Sequence, residues 1–122
     1  MHNYKELKIW KKSMDLVQNV FQLTASFPNS EKYGLIDRIK RRSISVPSNI
    51  AEGAGRTTNK DFSRFLSISR GSLNELNTQL IISCRLNFIE NDQLNELEIK
   101  INEIQKMIYK FNQGLETKND QS

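Results

Sequence analysis

Leu94, Leu97, Ile101, Ile104, Ile108, Phe111 and Leu115 recur at alternating spacings of three and four. A β-strand repeats its buried side every second residue, so this period belongs to an α-helix. The pattern is a heptad seam, the packing code of helices that cross at a shallow angle. It predicts a helix from near Asp92 to about Leu115, and it requires other helices to cover the seam. The rest of the chain suits that demand. Two prolines and five glycines in 122 residues leave few break points. Long helices are therefore favoured over many short strands, and a chain of this length builds one core.

Three further helices follow from the same reasoning. The first is expected over about Leu7 to Ser26, ended by Pro28. Trp10, Met14, Val17, Phe21 and Thr24 form one stripe along it. Ile9, Leu16, Val20, Leu23 and Phe27 form a second stripe beside it, giving an arc wider than one neighbour needs. The second helix is expected from Ser30 or soon after to Gly53. Ile36, Ile39, Val46, Ile50 and Ala54 lie on one side of it; Arg38, Arg41, Arg42, Ser45, Asn49 and Arg56 lie on the other. Pro47 falls inside, and the apolar stripe keeps its phase across it. A kink at Ser43 to Pro47 is expected, not a break. The third helix starts after Thr58, an N-cap with Asp61 three residues on. Phe62, Phe65, Leu66, Leu73, Leu76, Leu80 and Cys84 give its stripe. Gly71 sits on the opposite face, either under a close backbone or merely tolerated. The polar residues 116–122 are expected to be a disordered tail after a bundle over 1–115. Short links at residues 28–32, 54–58 and 87–91 make the expected fold all-α, an antiparallel up-down-up-down four-helix bundle.

Composition closes off several classes. No run approaches the roughly 18 apolar residues of a membrane span, and the N-terminus lacks the apolar core of a signal peptide. A single cysteine cannot form an internal disulfide, so a cytoplasmic setting is expected. The net charge is +4. It is unevenly spread: residues 1–85 carry a net +7 and residues 86–122 a net −3. A basic excess of this kind is compatible with a polyanionic partner.

Several phrases resemble one family. They are Leu7-Lys8-Ile9-Trp10, Tyr33-Gly34-Leu35, the run Arg41-Arg42-Ser43-Ile44-Ser45-Val46-Pro47-Ser48-Asn49-Ile50-Ala51-Glu52-Gly53, Arg70-Gly71-Ser72-Leu73-Asn74-Glu75-Leu76 and Thr78-Gln79-Leu80. Over roughly residues 4–115 the chain resembles the bacterial 23S rRNA intervening-sequence proteins, once misnamed a ribosomal protein. The resemblance implies a four-helix bundle. It extends to a protein similar in fold, the accessory variability determinant of diversity-generating retroelements. That relative is basic, forms a pentameric ring and works with a reverse transcriptase and nucleic acid. The resemblance therefore implies a homo-oligomer, most simply a pentamer, with nucleic acid and a reverse transcriptase as partners. Most other members of the family have no established activity. Ring symmetry needs two different patches of one subunit to meet. Ile9, Leu16, Val20 and Leu23 are the expected patch on the first helix.

Catalytic parts are scarce. The one histidine, His2, is expected in a frayed terminus, where no nucleophile pair can form. Cys84 falls on an apolar stripe and reads as a small core residue. One cysteine and one histidine cannot make a zinc site. No Glu-x-x-His metal motif occurs. Gly53-Ala54-Gly55-Arg56 is a fragment of a phosphate loop in the wrong context. No cofactor and no enzymatic activity are expected.

What remains is basic. Arg38, Arg41 and Arg42 share a ridge of the second helix; Arg56, Lys60 and Arg64 carry the charge into the third. The guanidinium fork donates two hydrogen bonds to a phosphate. The plainer reading is a solvated face paired with Asp37, Glu52 and Asp61. No aromatic residue is expected to interleave with these arginines, so contact through phosphates is expected, without base stacking. Two functions result: an oligomeric nucleic-acid-binding accessory protein, or a self-assembling structural module whose partners are proteins.

Overall fold

The computed structural model describes residues 2–121, with side chains through Thr117. Four helices make up the described chain: α1 Lys8–Thr24, α2 Leu35–Ala54, α3 Asn59–Arg85 and α4 Asn91–Gln121. Short 3-10 turns precede α1 (Tyr4–Glu6) and α2 (Asn29–Glu31). No strand occurs among the described residues. Ser26 and Phe27 donate backbone bonds to Leu23 and Thr24 as α1 unwinds ahead of Pro28. The 3-10 turn then takes the place of the first turn expected for α2, which starts at Leu35.

Cross-helix contacts give the topology. Along α2 and α3, Ser45 bonds Ser72 and Ser69 bonds the Val46 carbonyl, while Gly53 meets Phe62. Rising numbers on one helix meet falling numbers on the other, so the pair is antiparallel. Arg70 with Gln105 and Ser63 with Asn112 show the same for α3 and α4. Lys12 pairs with Glu103 at 3.1 Å between α1 and α4, which closes the bundle. The architecture is the expected up-down-up-down one.

The helix ends follow local chemistry. The Thr58 hydroxyl accepts the Asp61 amide at 3.1 Å, capping α3. At the other end Asn87 takes φ 65°, and the amides of Asn87 and Phe88 bond the carbonyls of Cys84 and Ser83. This is a Schellman closure, with asparagine in the left-handed position that glycine usually holds. Gln93 reaches back to the Glu90 amide at 2.8 Å and caps α4.

The core holds Ile39, Val46, Ile50, Leu66, Leu73, Leu76, Leu80 and the α4 seam from Leu97 to Leu115. Leu94 and Phe111, the other seam positions, pack partly buried against it. α2 runs through Pro47 without a break. α2 and α3 come together through small residues: Ser43, Pro47, Gly53, Ser69 and Ser72 are all buried. The Ser69 hydroxyl donates to the Val46 carbonyl at 2.9 Å, next to the proline that supplies no amide. Gly71 has no atom within 4 Å of a built Cβ, so it is simply tolerated on an open face. α4 continues to Gln121, past the Leu115 end expected for it. Over the expected tail, 116–122, the backbone is helical as far as Gln121; the side chains from residue 118 onward, and residue 122 altogether, lie outside the described residues.

Two expectations are corrected. His2 does not fray: its amide donates to the Ala54 carbonyl at 2.9 Å. Its ring lies edge-on to Phe62 and Phe111, at centroid distances of 5.1 and 5.9 Å. The terminus is held because the end of α2 offers a free carbonyl beside an aromatic pair. The stripe of α1 that faces the core is Ile9, Leu16 and Val20, each 3 % exposed or less. Residues buried within one subunit present nothing to a second copy, so these three cannot be an oligomer patch. Leu23, the fourth, is partly buried against the same core. The other stripe is Trp10, Met14, Val17 and Phe21; Trp10 packs partly buried against the core, and Met14 and Phe21 are exposed.

Candidate nucleic-acid interface

The expected basic ridge separates into two groups. Arg38, Arg41 and Arg42 lie in the first half of α2, and Arg56, Lys60 and Arg64 lie at the corner where α2 passes into α3. From Arg42 to Glu52, near the corner, is about 15 Å of helix at a rise of about 1.5 Å per residue.

In the first group Arg38 and Arg41 are exposed, and Arg42 leans toward α3. Arg41 Nε donates to Asp37 Oδ2 at 2.9 Å, one turn back. Arg42 Nε lies 3.0 Å from Glu75 Oε2, a charge contact whose geometry is not that of a hydrogen bond. Arg38 has no ion pair among the described residues. In the corner group Arg56 Nη2 bonds Glu52 Oε1 at 2.6 Å, and Arg64 Nε stands 3.7 Å from Asp61. Both guanidiniums lie over the Phe65 ring, 4.8 and 4.5 Å from its centroid. The expectation that no aromatic residue joins the arginines is therefore corrected. Phe65 occupies the α3 position between them, and its ring packs beneath both cations. The sequence did place Phe65 beside Arg64, but its assignment to the core stripe hid the contact.

The i,i+4 pairs to Asp37 and Glu52 and the i,i+3 pair to Asp61 are those of an ordinary solvated face. They are also weak. Exposed pairs of this kind contribute about 0–1 kcal/mol each. Three of the four contacts are made through Nε alone, which leaves the terminal fork of Arg41, Arg42 and Arg64 for a phosphate.

Sequence reasoning missed a second basic region. Arg70, Gln105, Lys106, Tyr109, Lys110 and Gln113 line a groove of about 490 Å³ between α3 and α4. The signal was present as Lys106 and Lys110 flanking Tyr109 on α4. The net negative charge of residues 86–122 masked it.

Cys84 is half-buried, and its thiol donates to Asn91 Oδ1 at 3.1 Å, linking the end of α3 to the start of α4. Among the described residues no group of three or more His, Cys, Asp or Glu is placed to hold a metal ion. No helix among them is long and apolar enough to cross a membrane.

Fold and surface together define a small all-α bundle with arginine-rich α2 and α3. The family model for the 23S rRNA-intervening sequence protein matches residues 5–110, and the chain belongs to that family. The fold is similar to the crystal structure of a protein of unknown function of the S23 ribosomal protein family from Bacteroides thetaiotaomicron. The TM-score is 0.79 at 23 % identity, over 85 % of this chain and 97 % of that one. No curated protein matches the sequence.

Proposed function

We propose that this chain is a non-enzymatic, self-associating bundle that binds nucleic acid through phosphates, as an accessory factor. A reverse transcriptase is the protein partner that the likeness to the retroelement determinant suggests. The observation that carries the reading is the set of arginines on α2, α3 and the link between them, whose carboxylate contacts are solvent-exposed and mostly single-point. A phosphate displaces such contacts at little loss. The family description, which names an rRNA context, points the same way.

A single subunit offers about six phosphate contacts, which supports only weak binding, with Kd on the order of 10⁻⁴–10⁻⁶ M at physiological salt. Self-association repeats the sites and raises the effective concentration of each. Replacing Arg38, Arg41 and Arg42 together with Ser should lower retention on mixed-sequence RNA. The salt slope should flatten by about two, at roughly 0.7 per lost contact on a single strand. Equal affinity and slope in the triple variant would leave the structural-module reading in its place.

The outward face of α1 carries the self-association. Met14 and Phe21 are 43 % and 37 % exposed, and Ile44 of α2 adds a further exposed side chain at 44 %. Ile44 stands one turn beyond Lys40, whose ammonium lies 4.8 Å over the Phe21 ring, so the patch spans both helices. An apolar surface of this kind is what a second copy covers. Sedimentation at micromolar concentration should show a species heavier than the 14.2 kDa monomer, and Met14→Glu with Phe21→Glu should return it to the monomer. A clean monomer for the unaltered chain removes the oligomer from the reading.

A further inference from the structure

The α3–α4 groove differs from the arginine ridge in one respect that matters for an anion. Arg70, Lys106 and Lys110 have no carboxylate partner among the described residues, and no acidic residue lines the groove. A phosphate arriving at Arg41 meets a guanidinium whose charge Asp37 already offsets; here no carboxylate competes with it.

The groove is also built. Arg70 Nε donates to Gln105 Oε1 at 3.2 Å, and Gln105 Nε2 donates back to the Arg70 carbonyl at 3.0 Å and to Asn74 Oδ1 at 3.1 Å. This clamp fixes the guanidinium through Nε and leaves its terminal nitrogens unused. The same guanidinium lies 5.5 Å from the centroid of the Tyr109 ring. Gln113 Nε2 donates to the Tyr109 hydroxyl at 3.2 Å, which holds the ring from its other end. Tyr109 is nevertheless 50 % exposed. A half-open aromatic ring held between a cation and an amide, with two lysines beside it, matches a flat aromatic group that carries a negative charge. An unpaired nucleotide has both parts.

We infer that this groove binds single-stranded nucleic acid, with a base stacked at Tyr109 and its phosphates met by Arg70, Lys106 and Lys110. The inference rests on the nucleic-acid reading above and adds to it a preference for unpaired bases. Phosphate contact on the ridge is indifferent to pairing. A stacking ring is not, because a base inside a duplex has no free face to offer.

The test compares a labelled single-stranded RNA with its own duplex by fluorescence anisotropy at low salt. The unaltered chain should bind the single strand about tenfold tighter. Tyr109→Ala should remove that preference and leave duplex binding as it was, while Tyr109→Phe, which keeps the ring, should behave as the parent. Lys106→Gln with Lys110→Gln should flatten the single-strand salt slope by about 1.4. Single-strand binding by Tyr109→Ala equal to the parent's overturns this inference alone, as does an equal loss on both substrates. Competition by polyglutamate that depends on Tyr109 and matches that of RNA overturns it in favour of an acidic protein. An unaltered chain that binds neither strand overturns the nucleic-acid reading together with this one.

Discussion

Ile101→Asp should abolish the folded state. Ile101 is 2 % exposed and sits mid-way along the α4 seam, between Leu97 and Ile104, both buried. Truncating such a side chain removes about 2–5 kcal/mol of packing. The new carboxylate has no cation to meet in that core, which adds several kcal/mol of desolvation. Domains of this kind are stable by only about 5–15 kcal/mol in total. Circular dichroism should therefore show loss of most helical signal at room temperature. The control is Ile99→Asp, two positions away on the outer face, where Ile99 is 68 % exposed. It should melt within about 0.5 kcal/mol of the parent. A cooperative melt for Ile101→Asp near that of the parent would refute the packing described for α4.

The same substitution, glycine to alanine, should have opposite signs at two places. At Gly53 a Cβ would stand 2.8 Å from Phe62 Cδ1 and 2.8 Å from Phe65 Cβ. The second of these is the root of a side chain fixed to α3, so the helices themselves must part. Overpacking of this kind destabilises by about 1–3 kcal/mol. Shifting Phe65 also disturbs the ring on which Arg56 and Arg64 rest. At Gly71 a Cβ meets nothing within 4 Å. Alanine there gains helix propensity and should stabilise by about 0.5–1 kcal/mol. Urea unfolding of the two variants beside the parent checks both signs. A Gly53→Ala protein as stable as Gly71→Ala would mean that α2 and α3 do not approach as closely as described.

Much of the bundle could be read without coordinates. The α4 seam, the α3 stripe and the Thr58 cap depend on spacing and on one local hydrogen bond, both properties of neighbouring residues. The i,i+4 pairs of Arg41 and Arg56 are local in the same way. The azimuth of α1 was not readable. Its two apolar stripes lie side by side with the same period, so spacing cannot say which faces inward. The fold turned Ile9, Leu16 and Val20 in, together with Ser13 and Thr24, whose hydroxyls donate to carbonyls of their own helix. Those small polar residues were the only sign in the sequence, and polar residues are ordinarily read as surface.

The candidate site divides along the same line. Which residues are basic is plain from the sequence, and so is their placement on α2 and α3. Their partners are not: Arg42 meets Glu75 of α3, Arg56 reaches the Phe65 ring that Arg64 also covers, and Arg70 joins Gln105 and Tyr109 of α4. Most of these contacts join residues far apart in the chain, so no local period announces them. Helical character was set by the order of residues along the chain. The faces that meet, the arginines held against aromatic rings and the groove left between α3 and α4 were set by how the helices pack, with small residues bringing α2 and α3 together.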